Sequence, residues 1–152
     1  MNTAQSAIVP DHCKSGIFIE ADAKGSTDAI KQACVQSLDA LADLQTQFPD
    51  ASLGLTLAFG SRLWQSFGHN EEGREIKPFK ALGGGLAPAT QHDVLIHIQS
   101  LRHDLSIALA EKVLTAFGSS ISVADETHSH RLLEERGFDG FVDGTENPQD
   151  EK

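Results

Sequence analysis

Two stretches of this 152-residue chain carry apolar residues at helical spacing, and each lies between short stretches whose apolar residues alternate. That order restricts the fold more than any other property of the sequence. In the first helical stretch Ile30, Cys34, Leu38, Leu41 and Leu44 or Gln45 recur three and four apart, which puts one apolar stripe on a long helix. Ser26, Thr27 and Asp28 are its candidate caps. Pro49 cannot continue the hydrogen-bond ladder, so the helix is expected to end near Phe48. In the second stretch Leu105, Ala108, Leu109, Lys112, Val113, Ala116 and Phe117 form the stripe. Asp104 or Ser106 is the candidate cap, and Gly118 the terminator.

Strands are expected over residues 16–21 (GIFIEA), 53–60 (LGLTLAFG) and 92–100 (HDVLIHIQS). A fourth is expected over 120–126, bending and continuing through 131 to 134. Residues 61–67 suit a short helix and 70–88 a loop. Strand, helix, strand, strand, helix, strand is the split βαβ or ferredoxin-like order: an α+β fold with an antiparallel sheet and helices on one face. Leu53, Leu55, Leu57 and Phe59 share one face of their strand, opposite the small Gly54, Thr56 and Ala58. The helix-free face is therefore small or mixed in character, and a second sheet or domain is expected to cover it. The chain divides into a leader over 1–14, a ferredoxin-like domain over 15–134 and a polar, glycine-rich loop over 135–152.

The formal net charge is −10. It argues against nucleic acid or an anionic membrane as partner, since both select clustered Lys and Arg. No apolar run has the length of a bilayer span, and the first residues lack the basic and apolar segments of a secretion signal. A cytoplasmic location is expected. Cys13 and Cys34 are too few for a disulfide framework; Cys34 falls on the apolar stripe as a buried thiol. Residues 22–26 lack the glycine fingerprint of a dinucleotide fold.

The chemistry concentrates in residues 140–148, GFVDGTENP. Gly140 and Gly144 let the backbone turn and approach a ligand closely, and Thr145 and Asn147 can hydrogen-bond the loop or its acid. Asp143 is then either a carboxylate held for proton transfer or the acid of a surface Asx-turn. Gly83, Gly84 and Gly85 lack the Lys-Ser or Lys-Thr of a phosphate loop and read as a flexible connection. Seven histidines are present. His128 and His130, two apart, share one face of a strand, but two imidazoles are an incomplete metal set, and no metal ligand is assigned. His97 reads as structural and Trp64 as core. Glu134, Glu135, Arg131 and Arg136 read as surface charge, although the arginines could meet an acidic cofactor group. No serine sits in a G-x-S-x-G setting.

The stretch GFVDGTENP resembles the G-x-x-D-G region of dye-decolourising (DyP-type) heme peroxidases. The GIFIEA strand, the AFG turn at 58–60 and the GLAP of 85–88 before QHDVLIHIQSLRHD are similar as well. The likeness covers essentially the whole chain and is greatest to the bacterial cytoplasmic branch. It implies one half of a tandem, dimeric α+β barrel-type protein with heme b as cofactor. Asp143 would be the distal acid–base residue that takes a proton from bound hydrogen peroxide and returns it to the outer oxygen. Gly144, Thr145, Glu146 and Asn147 would belong to the loop over the heme. The proximal histidine and distal arginine would come from a C-terminal half of the same protein, before which this chain reads as truncated or clipped. Hydrogen peroxide, a small organic reductant and a homo-oligomeric state are the other implied partners. The competing expectation is a non-catalytic ferredoxin-like module that dimerises through its sheet. Phosphoryl transfer by an aspartate nucleophile is disfavoured, because Phe141 stands where such a motif carries a second aspartate.

Overall fold

The computed structural model describes residues 4–8, 13–68, 70–133 and 136–141. Its elements are β1 (Ser15–Ala23), α1 (Thr27–Gln47), β2 (Gly54–Phe59), α2 (Ser61–Ser66), β3 (Val94–Ser100), α3 (His103–Phe117) and β4 (Ile121–His130). Ser26 caps α1, its hydroxyl accepting from the Ala29 N–H at 3.2 Å. Phe48 closes the helix with an N–H to Leu44 O bond of 2.9 Å, and Pro49 follows. The stripe of α1 that meets the sheet is Ile30, Ala33, Ser37, Leu41 and Leu44. Leu38, expected on that stripe, is 48% exposed. Ser37 takes the inward position instead, because its hydroxyl donates to Ala33 O at 2.7 Å and so buries no unpaired group.

The other helix departs from expectation in two places. Neither Asp104 nor Ser106 caps α3: the helix begins at His103, with Arg102 as a cap residue that makes no side-chain bond. Asp104 instead receives Arg102 Nε at 3.1 Å, and the Ser106 hydroxyl is buried against Ser15 and Ser100. Lys112, counted on the stripe, is exposed, and Ala110 takes an inward place. Gly118 ends the helix at φ 48°, a backbone region that suits glycine.

The sheet runs β2-β3-β1-β4 with every neighbour antiparallel. Both helical connections therefore step over a strand, as the ferredoxin-like order requires. Ile17 pairs Ile98 and Ile19 pairs Ile96, while Leu55 and Leu57 continue the same rows on β2. With Ile30, Leu109 and Val113 from the helices they form the core; each such side chain contributes about 1.5–3 kcal/mol by leaving water. The fourth strand does not bend near Glu126. It runs unbroken to His130, and the irregularity is a shift in register between Glu20 and Ala21, which face Asp125 and Val123.

Where the sequence offers only a polar leader, the structure ties residues 4–8 to β2. The Gln5 amide accepts from Leu57 N at 2.9 Å and donates to Leu57 O at 3.0 Å. Leu55 N donates to Ser6 Oγ at 3.1 Å, and Gln99 Nε2 donates to Ala7 O. Gly54 makes this approach possible, since a Cβ there would lie 2.8 Å from Ser6 O.

Candidate functional site

Alternation along the strands decides what the helix-free face displays. Register places Gly16, Gln99 and Gly54 in one row, Thr127, Phe18, His97 and Thr56 in the next, and Asp125, Glu20, Leu95 and Ala58 in the third. Phe18 and His97 stack with ring centroids 4.2 Å apart and planes 16° from parallel. Burial without a charged partner pushes the His97 imidazole below its ordinary pKa, which favours the neutral ring. Beside this stack the face opens into a cavity of about 310 Å³, lined by Cys13, Gly16, Gln99, Ser129, His130 and Arg131 among others. Thr56 Oγ1, buried in the same face, has no hydrogen-bond partner among the described residues.

From that cavity the chain passes Arg131, whose N–H bonds Lys14 O at 3.0 Å, and reaches the turn at 136–141. There Gly140 N donates to Gly137 O and Gly137 N to Phe141 O, both at 2.9 Å. Phe141 N donates to Asp139 Oδ1 at 3.0 Å, and Arg136 Nη1 donates to Gly140 O at 2.9 Å. Gly140 holds φ 89°, a conformation that costs a side-chain-bearing residue about 1–2 kcal/mol. The first glycine of the motif therefore has a structural reason for its identity. The expected site residues Asp143, Gly144, Thr145, Glu146 and Asn147 lie outside the described residues.

Opposite the cavity, at the other end of the sheet, sits a carboxylate with no sequence signal. Asp93 is buried just before β3 and accepts from Ala23 N at 3.0 Å and from Arg62 Nε at 3.1 Å, with Arg62 Nη2 on its second oxygen. The Arg62 guanidinium holds its carboxyl below the usual carboxylate range. His92 Nδ1 lies 3.0 Å from Asp22 Oδ1, and that bond raises the imidazole above its ordinary pKa. Period and spacing reveal neither partner, because 70 residues separate His92 from Asp22 and 31 separate Arg62 from Asp93. Trp64, Phe59 and Phe67 form a satellite cluster, with centroids 5.2–6.3 Å apart, in agreement with a packing role. Burial raises the Cys34 thiol to about 11. Among the described residues no helix is long and apolar enough to cross a membrane.

Strand order, one-sided helices and an open second face define a ferredoxin-like α+β protein. Residues 5–131 match the family model described as Dyp-type peroxidase, N-terminal, and the chain belongs to that family. A dye-decolorizing peroxidase of Mycobacterium tuberculosis is 37% identical over 102 residues, 66% of this chain and 30% of that protein. One from Rhodococcus erythropolis is 34% identical over 119 residues, 72% of this chain and 35% of that protein. Among solved structures, a dye-decolorizing peroxidase of Bacteroides thetaiotaomicron superposes with a TM-score of 0.81 at 27% identity, over 97% of this chain and 52% of its own. A Rhodococcus jostii DypB variant in complex with heme gives 0.73 at 29% identity, over 97% and 50%. The chain thus spans about a third of these curated relatives and about half of these solved chains.

Proposed function

We propose that this chain forms the distal half of a heme-dependent peroxidase, with a second half of the same protein seated on its open sheet face. The observation that carries this reading is the family match over 5–131 with GFVDGTENP a few residues beyond it, at 140–148; the positive φ of Gly140 suits the glycine that opens the motif. The orphan hydroxyl of Thr56 supports a covering body, since buried polar atoms ordinarily find partners.

The described residues fit the wall of a heme pocket rather than its iron site. The cavity by Phe18 and His97 combines an aromatic platform with polar groups, while no three His, Cys, Asp or Glu among the described residues are set to hold a metal. When bound, heme b supplies the redox-active iron through which electrons pass from a small organic reductant. Gly144, Thr145, Glu146 and Asn147 would belong to the loop over the cofactor. Asp143 would take a proton from one oxygen of hydrogen peroxide and return it to the other, so that water can leave as the O–O bond parts; bound heme would supply the two electrons and take up the remaining oxygen. Exclusion of bulk water by the second half would keep that proton local. The axial histidine and an assisting arginine belong to the second half. The protein acts in the cytoplasm, as a homo-oligomer.

The test is Asp143→Asn in a protein containing both halves. Heme content stays unchanged, and the second-order reaction with hydrogen peroxide, followed by stopped-flow absorption, slows by about 10²–10⁴-fold, the usual worth of a positioned acid–base group. An unchanged rate with full heme loading sinks the assignment.

A further inference from the structure

Apolar exposure is uneven along the described residues, and it peaks at the turn that follows β4. Phe138 is 100% exposed, Leu133 82% and Phe141 74%. A single exposed apolar residue is ordinary, but three large ones on one turn make a patch of the kind that marks an interaction site. We propose that Leu133, Phe138 and Phe141 anchor the second half of the same protein, at a contact additional to the open sheet face; this rests on the peroxidase reading only in that such a second half is present.

Hydrogen bonding explains why these side chains stand outward. The turn is closed by its own polar groups. Arg136 N donates to Leu133 O at 3.3 Å, and Gly137 N to Phe141 O and Gly140 N to Gly137 O at 2.9 Å. Two side chains staple it: Arg136 Nη1 donates to Gly140 O, and Asp139 Oδ1 accepts from Phe141 N. The shape is thus held without packing of the rings, which leaves them for another surface. Gly137 pairs with Phe141 and precedes Phe138, so both rings issue from one small turn, and Leu133 is tied to it through Arg136. Anchors fixed in advance lose less freedom on binding than anchors on a loose loop.

Area and sequence position select the occupant. A phenylalanine buries about 150–250 Å². The two rings together therefore offer about half of the roughly 800 Å² that one partner gives to a standard interface. The turn is continuous with the open sheet face, since Arg131 N bonds Lys14 O beside the cavity at 3.0 Å. The family model matched is the N-terminal one, and the solved relatives align over 97% of this chain but only 50–52% of their own. In a chain of that length the second half follows this turn and is tethered to it. A short tether gives a partner an effective concentration of about millimolar, against which a second, untethered copy competes poorly.

The experiment splits a protein containing both halves. A protease site is placed after Lys152, the heme-loaded protein is cut, and association of the halves is followed by size-exclusion chromatography over a dilution series. The parent halves are expected to stay together. Phe138→Ser and Leu133→Ser are each expected to raise their dissociation constant by about tenfold or more, the usual result of truncating a buried anchor. Val35→Ser, on the outer side of α1 at 58% exposure, leaves it unchanged. Circular dichroism of the released first half checks each fold, and either anchor variant decides if the other does not fold. Parent halves that separate on cutting, or a dissociation constant indifferent to both variants, overturn the proposal. So does a Phe138→Ser protein whose halves hold as tightly as the parent's while the uncut form falls to a smaller oligomer, which makes a second copy the occupant. Asp143→Asn in the uncut protein keeps the two readings apart. A peroxide reaction unchanged by that substitution removes the acid–base assignment and leaves the anchor standing wherever Phe138→Ser loosens the halves; a slowed reaction with halves indifferent to Phe138→Ser and Leu133→Ser removes the anchor alone.

Discussion

Thr56 and Asp93 show what a single buried oxygen does with and without a partner. Thr56 Oγ1 is unsatisfied, and such an atom costs about 1–3 kcal/mol. Thr56→Val, nearly the same shape, is expected to stabilise the isolated chain by about 1 kcal/mol in urea denaturation; a loss of stability would mean that the hydroxyl is paired. Asp93 is the opposite case. Asp93→Ala leaves the Ala23 N–H without its acceptor and is expected to cost about 1–3 kcal/mol. Its carboxyl titrates below the ordinary range in the fold, so its contribution is complete above the unfolded carboxylate pKa of about 3.9 and disappears as pH falls through the folded value. The difference between parent and variant urea midpoints should accordingly shrink on acidification from neutral pH to about pH 3. Cys34 gives a chemical readout: with its thiol raised to about 11, thiolate is scarce. Iodoacetamide at pH 8 is expected to alkylate it at least about tenfold more slowly than an ordinary cysteine, as peptide mass mapping would show.

Elements were legible where the period was clean. The alternation of Val94, Ile96 and Ile98, the Pro49 stop and the Gly118 stop led to β3, α1 and the C-terminal end of α3 within two residues. Two of the failures share a cause, that hydrogen bonding decided where a serine went. Ser37 displaced Leu38 from the buried stripe through its bond to Ala33 O, and Ser106 was withdrawn from capping by the serine chain at β1. The contact of His103, at the start of α3, with His128 and His130 near the end of β4 was illegible for a different reason: no local spacing encodes it. Equally silent was the attachment of residues 4–8, where the Gln5 side chain occupies the backbone groups of Leu57 that a further strand would use. Unprotected sheet edges invite pairing with another chain. Deleting residues 1–8 is therefore expected to convert the chain into concentration-dependent oligomers in light scattering, while Gln5→Asn, too short to span both groups, should give a weaker version. A deletion variant that keeps the mass of the parent at every concentration would show that the edge needs no guard.

At the scale of the molecule, one face is closed by helices and the other is open, lined by Phe18, His97, Gln99 and Thr56. A peroxidase of this family made of two such lobes would keep its polar, aromatic surface inside and its helices outside. The described residues provide that surface and the turn leading to Asp143, whereas the motif's acid was identified from its sequence neighbourhood alone. One topological fact extends further. The first strand of the chain pairs on one side with residues 94–100 and on the other with residues 121–130. A ribosome therefore releases the centre of the sheet well before either flank exists, and its apolar Ile17 and Ile19 have no strand neighbours until residues 94–100 have been made. Nascent chains arrested ahead of β4 should be the species that chaperones hold longest.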